Sequence, residues 1–428
     1  MRKIALFVGI LFQLSILSSA ESNGFSIDLI HIDSPLSPFY NSSMTQSDVL
    51  INAAFDSISR AESFPLNTSL NRDETITIPN KGTYLMAFFI GTFPRGLLAV
   101  ADTGSDLTWI QCSPCTKCYK QRLPIFDPRN SYTFHLIPCG NSFCKKVRRN
   151  SCGFVGECRY EVDYASKSST QGVVATDTIS FNNSYDGRTI KYPNTIFGCG
   201  YNNTGVFKPT SAGIFGLGGG PSSFISQHGA EFGKRKFSYC LLPFYYVQGS
   251  SKLKFGVDTQ KNRTGVVTTP LVSLNPSTYY YLSLDSVSIN GKMVRPNEST
   301  FGNIIIDSGA TVTFLKTSWY EKVEAAVLEV IGHQSVAVRY PIRPFRLCYK
   351  DGSITNFPSI GLQFYGSFKE LKLSTLNTFV TLGNLTCFAI LPTEKISIIG
   401  NLLQVFFNIE YDLEERTVSF VKANCLKE

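Results

Sequence analysis

The sequence predicts a mostly-β protein of two similar lobes with a cleft between them, and three observations carry that expectation. From about residue 74 onward, short apolar runs alternate with Gly, Asn, Pro and Ser turns, as at residues 85–90, 97–101, 173–181 and 279–289. Aromatics make up 13 % of the chain, and Val, Ile and Thr are plentiful, a mixture that suits strands. The third observation is an internal repeat, which sets architecture before any single element does. Leu98-Ala99-Val100-Ala101-Asp102-Thr103-Gly104-Ser105 is followed, 114 residues after its Asp, by the Gly of Ile214-Phe215-Gly216. Ile304-Ile305-Ile306-Asp307-Ser308-Gly309-Ala310 is followed, 93 residues after its Asp, by the Gly of Ile398-Ile399-Gly400. A lone Asp-Thr-Gly is no more than a hairpin bend. Two copies, each after an apolar strand and each with a later Gly partner, argue for two lobes that each present one Asp on a tight turn.

Length and composition agree. The 428 residues suffice for two or three domains. With 43 % hydrophobic and 17 % charged residues the chain buries large cores and is not disordered. The formal charge is +8, yet the first 70 residues hold three basic and six acidic side chains, which leaves +11 for the rest. The basic residues are scattered; their one small cluster, Lys145, Lys146, Arg148 and Arg149, reads as a solvated loop, and no nucleic-acid partner is expected.

Residues 1–20 read as a secretory signal: Arg2 and Lys3, an apolar run broken by Gln13, then Ser18-Ser19-Ala20 for cleavage. No other stretch is long enough to span a bilayer, so an exported protein without a membrane span is expected. Twelve cysteines fit an oxidising compartment. Seven Asn-x-Ser/Thr sites (Asn41, Asn67, Asn182, Asn202, Asn262, Asn297 and Asn384) suggest a glycosylated surface. Residues 21–72 are acidic and cysteine-free and read as a propeptide. Within it a helix-like segment puts Ile51, Ala54, Phe55 and Ile58 on one face, with Asp48 near its start. The N-terminal lobe is then expected at 73–265 and the C-terminal lobe at 266–428. One amphipathic helix is expected at 319–331.

Two aspartates brought together by such lobes share one proton, because like charges about 3 Å apart do not both ionise. The ionised partner takes a proton from a water held between them while the other polarises a peptide carbonyl. Gly104 and Gly309 allow close backbone approach, and Thr103 and Ser308 can brace the two turns by hydrogen bonds across the interface.

On these residues the chain resembles the pepsin-like aspartic peptidases, and within them the plant nepenthesin-like group. Asp102-Thr103-Gly104-Ser105-Asp106-Leu107-Thr108-Trp109 looks like the first catalytic motif and Asp307-Ser308-Gly309-Ala310-Thr311 like the second. Gly213-Ile214-Phe215-Gly216-Leu217-Gly218-Gly219-Gly220-Pro221-Ser222-Ser223 and Ile398-Ile399-Gly400-Asn401 match as well. The segment from Gly24-Phe25-Ser26 through Tyr40 resembles the propeptide of the subgroup linked to plant disease resistance. The resemblance implies Asp102 and Asp307 as catalytic residues, supported by Thr103, Gly104, Ser105, Ser308 and Gly309. It implies a flap whose tyrosine is Tyr164, with Trp109 as its partner on the opposite wall. It further implies a monomeric, apoplastic endopeptidase that acts on polypeptides without cofactor or metal. Three departures stand out: Ala165 and Lys167 occupy the flap's two glycine positions, Ala310 replaces a threonine, and the propeptide's His-Arg-Asp reads His31-Ile32-Asp33.

Cys112, Cys115, Cys118, Cys139, Cys144, Cys152 and Cys158 crowd into 47 residues. Cys-x2-Cys-x2-Cys spacing can hold zinc or an iron–sulfur cluster, but the export signal and the lack of a nearby His favour disulfides, whose connectivity the sequence leaves open. The family pattern pairs Cys112 with Cys199, Cys115 with Cys118, Cys139 with Cys152, Cys144 with Cys158, Cys240 with Cys425, and Cys348 with Cys387. None of the four histidines sits beside a Gly-x-Ser-x-Gly elbow or an isolated Cys, so Ser or Cys hydrolase chemistry lacks support. The alternatives are a catalytically inactive relative acting as an inhibitor or binding glycoprotein, and a plastid protease that binds DNA. The first usually loses an Asp-x-Gly and the second needs a transit peptide.

Overall fold

The computed structural model describes residues 24–64, 82–147, 149–164, 168–205, 207–257, 263–332, 337–350, 354 and 356–428. The export signal, the propeptide junction, Asn67, Asn262 and the flap tip at 165–167 lie outside them. Alternating and continuous apolar runs pair into one sheet of fifteen strands that runs beneath both halves of the chain, with smaller sheets completing the C-terminal half. Its middle reads Phe407–Asp412, Lys236–Cys240, Ser251–Phe255, Phe25–His31, Tyr84–Ile90, Arg95–Asp102, Gly213–Gly216 and Trp109–Gln111.

Phe25–His31, from the segment read as a propeptide, is thus a central strand. Its odd positions Phe25, Ile27 and Leu29 are buried, and the Phe25 ring stacks on Phe255 and Phe181 at 4.8 and 5.3 Å. Near the other end of the chain, Phe407–Asp412 pairs with Lys236–Cys240 of the first half, and Cys240–Cys425 ties this return. The remaining disulfides are Cys112–Cys199, Cys115–Cys118, Cys139–Cys152, Cys144–Cys158 and Cys348–Cys387.

The repeat is a repeat of topology. Arg95–Asp102 runs parallel to Gly213–Gly216, which is antiparallel to Trp109–Gln111. In the second half, Ile304–Ile306 runs parallel to Ser397–Ile399, which pairs with Thr313–Lys316. The two later glycines are dictated by crowding: a Cβ on Gly216 would lie 2.0 Å from the Asp106 carbonyl oxygen, and one on Gly400 2.3 Å from that of Val312.

Two expectations are refined. The run 279–289 is not one strand: Tyr280–Leu282 pairs with Ile304–Ile306, and Leu284–Ile289 pairs with Ile360–Phe364. At the break the Ser283 hydroxyl accepts the Gly302 N–H and its carbonyl accepts the Tyr365 N–H, so the chain changes sheets there. The helix expected at 319–331 is Thr317–Ile331, and it buries Trp319, Tyr320, Val323 and Val327. Among the described residues no helix is long and apolar enough to cross a membrane.

Candidate active site

Each Asp-x-Gly turn is fixed by the strand that ends in it and by the parallel neighbour. The Asp102 carbonyl accepts the Leu217 N–H at 2.9 Å, and the Asp307 N–H donates to the Ile399 carbonyl at 3.1 Å. The Gly104 N–H then donates to the Asp102 Oδ1 at 3.0 Å and the Gly309 N–H to the Asp307 Oδ1 at 2.9 Å. The turns clasp each other: the Ser308 N–H donates to the Thr103 Oγ1 at 2.9 Å, and the Thr103 N–H to the Ser308 Oγ at 3.2 Å. Both glycines sit where a side chain has no room, since a Cβ on Gly309 would lie 2.6 Å from the Asp102 Oδ1.

The carboxylates are fully buried, and the two are held by one guanidinium. Arg60 Nη2 donates to the Asp102 Oδ1 at 2.6 Å and to the Asp307 Oδ1 at 2.9 Å, while Nε donates to the Asp307 Oδ2 at 2.5 Å. Arg60 belongs to the helix Gln46–Ser63, capped by Thr45 and Asp48 in a reciprocal box. The face presented to the aspartates is Ala53, Ser57 and Arg60, small residues leading to one long one; Phe55, expected on the buried face, is 46 % exposed. The Ser57 hydroxyl accepts the Thr311 N–H at 2.8 Å, and Phe64, just past the helix, packs on Tyr279 with centroids 4.8 Å apart. Sequence reasoning missed Arg60. The signal was there: it is the only Lys or Arg between residues 4 and 71.

Burial is the largest influence on Asp102 and holds its carboxyl above the ordinary 3.8; Arg60 pulls it down and Asp307 pushes it up. The Ser105 hydroxyl also donates to the Asp102 Oδ2, at 2.5 Å. The corresponding position beside Asp307 is Ala310, which is buried and has no donor. Arg60 is held firmly charged: burial opposes its charge, but both carboxylates favour it.

Trp109 is buried, with its ring edge-on to Phe207 at 5.4 Å. Tyr164 closes the strand Cys158–Tyr164, opposite Ser168. The pairing of these two side chains falls outside what is described. His31 is buried and accepts the Asp33 N–H at 3.2 Å; burial pushes its imidazole down to about 3, so it is neutral. Asn41, Asn182, Asn297 and Asn384 are exposed, and Asn202 is half-buried with its amide donating to Gln171.

Comparison with known proteins agrees with this layout. Residues 84–257 match the family model described as xylanase inhibitor N-terminal, and 279–422 match its C-terminal counterpart. A probable aspartic protease of Arabidopsis thaliana is 40 % identical over 99 % of this chain and 98 % of its own length. Aspartic proteinase nepenthesin-2 of Nepenthes gracilis is 34 % identical over 94 % of this chain and 90 % of its own. Among solved structures, conglutin gamma from lupine seeds superposes with a TM-score of 0.68 at 18 % identity, covering 95 % of this chain and 96 % of that one. The aspartic proteinase of Irpex lacteus gives 0.57 at 16 % identity, covering 80 % and 95 %. With two Asp-x-Gly turns clasped at the meeting of two like halves, and with relatives this close along its whole length, the chain belongs to the plant nepenthesin-like group of the pepsin-like aspartic protease family.

Proposed function

We propose that the protein is a secreted aspartic endopeptidase made as a zymogen, with Asp102 and Asp307 as its catalytic pair and Arg60 as the plug that holds them shut. The observation that carries this reading is that oxygens of both carboxylates lie within 2.9 Å of one guanidinium nitrogen. Groups that converge on one nitrogen also converge on one water once the helix has left.

In the open enzyme the pair shares a single proton. The ionised carboxylate removes a proton from the water, the protonated one donates to the carbonyl oxygen of the scissile peptide, and the new C–O bond forms without an acyl-enzyme. Collapse of the tetrahedral intermediate returns a proton to the leaving amine. The clasp between Thr103 and Ser308 keeps the two carboxyl groups in register, and Ser105 steadies Asp102. Tyr164 closes over the substrate from the flap.

Release follows from the same electrostatics. Docking of Arg60 lowers the Asp102 pKa relative to the undocked site, so the docked state binds fewer protons and tightens as pH rises. It loosens as pH falls through the titration of the pair, because a buried guanidinium without its counter-charge is costly. Burial, which holds Asp102 above 3.8, moves that loss upward in pH. Six disulfides and the signal-like leader support export to the space outside a plant cell, which is acidic.

The test is to acidify the purified full-length protein and follow cleavage of a denatured protein substrate. Activity that is blocked by pepstatin and absent in both Asp102→Asn and Asp307→Asn is expected. Silence of the wild type at every pH would make the chain an inactive relative.

A further inference from the structure

A half-open cavity of about 620 Å³ lies beside Tyr279, lined by Arg235, Leu274, Ser277, Tyr279 and Arg416 among others. Resting on the reading of this chain as a peptidase, we propose that this cavity receives an acidic side chain of the substrate, bound by Arg235 and Arg416.

The cavity shares Tyr279 with the segment that follows the docked helix. Tyr279, on its wall, is the residue against which Phe64 packs, four positions after the Arg60 that occupies the aspartates. Gly219, also on the wall, is two residues beyond Leu217, whose N–H holds the Asp102 carbonyl. A peptide that leaves the aspartates the way the helix does therefore meets this cavity within a few residues of the scissile bond.

Its chemistry is one-sided. The lining includes two guanidinium groups and no carboxylate. Arg416 sits in the turn between the last two strands at φ 54°, and its Nη2 donates to the Ser273 hydroxyl. Arg235 has its Nη2 3.5 Å from the Ser226 hydroxyl. The turn also holds Glu414 and Glu415, and Glu414 spends its Oε1 on the Arg235 backbone N–H at 3.1 Å. Among the described residues neither arginine has a carboxylate partner. A guanidinium offers paired N–H donors that fit a carboxylate, and two of them around one hollow select a side chain of that charge. The neighbouring Leu271, Leu274 and Tyr279 give its methylene stem an apolar wall.

Two measurements test this. In the first, the acid-processed enzyme is given quenched peptides that differ only by Glu or Gln at the second, third and fourth positions on either side of the scissile bond. At one position on one side, Glu is expected to raise kcat/KM about fivefold over Gln, a modest factor because the site is half-open. That ratio is expected to fall toward one in Arg235→Gln/Arg416→Gln. A ratio near one at all positions in the wild type, or a ratio that the double variant leaves intact, overturns the proposal. The second measurement does not depend on hydrolysis: a fluorescein-labelled acetyl-Ala-Glu-Ala-Glu peptide is titrated against the full-length chain. Binding tighter than that of the Gln analogue, and lost in the double variant, supports the cavity even if no peptide is cut. Equal binding of the two peptides counts against it.

Discussion

At the residue scale the two halves of the site differ by one hydroxyl. Ser105 donates to Asp102, but at the matching place beside Asp307 stands Ala310. A donor to a charged carboxylate contributes about 1.5–3 kcal/mol, and much of that is replaceable by solvent once the helix is gone. At about 1.4 kcal/mol per pH unit, restoring the hydroxyl should move the kcat/KM profile of the pair toward acid by roughly half to one unit. Ala310→Ser is the variant to measure, since the site is buried and serine adds a single atom. A profile that stays in place would mean that the missing hydroxyl does not set the optimum. The same residue-scale view separates what the sequence could reveal from what it could not. Asp102, Asp307 and their glycines are legible because a turn of that kind has few alternatives and occurs twice. Arg60 stands out only as a lone cation in an acidic segment; its role is not legible, because that depends on where a helix 42 residues before Asp102 comes to rest.

At the element scale the segment proposed as a propeptide consists of two devices with different jobs. The strand Phe25–His31 anchors it in the middle of the large sheet, and the helix Gln46–Ser63 carries the plug. The helix was legible from its apolar period and from Asp48, and so was most of its face: Ala54 is buried, Ile51 and Ile58 pack on the core, and only Phe55 of the expected four is exposed. The period did not show that Ala53 and Ser57 also turn inward, where close approach to the aspartates needs small residues. The sheet change at Ser283 was equally hidden, because an apolar run does not tell which sheet it joins. Since the helix is held at its start by the Thr45–Asp48 box, Thr45→Ala should cost about 1 kcal/mol of helix stability. The expected outcome is propeptide removal about fivefold faster at a fixed acidic pH, read from the band shift on a gel, with the melting temperature of the processed enzyme unchanged. Equal rates would show that the helix does not unfold before it is cut.

At the scale of the whole molecule the chain is closed by its own end. Phe407–Asp412 and Thr417–Lys422 lie beside strands of the first half, so the halves share one sheet. The lobe boundary expected near 265 falls between Ser251–Phe255 and Val267–Pro270, two strands of this same sheet. Cys240–Cys425 closes a loop with a sequence separation of 185, and loop-closure entropy gives such a link about 5 kcal/mol. The double variant Cys240→Ser/Cys425→Ser should lower the urea midpoint of unfolding accordingly while the acid-processed enzyme keeps its pH profile; an unchanged midpoint would show that the shared sheet closes the molecule unaided.

The central claim is that Arg60 shuts a pair of aspartates that would otherwise react. It is tested most directly by Arg60→Met in the full-length chain, followed by cleavage of a quenched peptide from pH 7 downward. Without the guanidinium, the ionised member of the pair is buried with no counter-charge, and docking of the helix loses what breaking a buried ion pair costs, about 3–5 kcal/mol. The variant is expected to cut the peptide near neutral pH without prior acidification, whereas the wild type needs acid. An unchanged pH threshold for the onset of cleavage in Arg60→Met would contradict it.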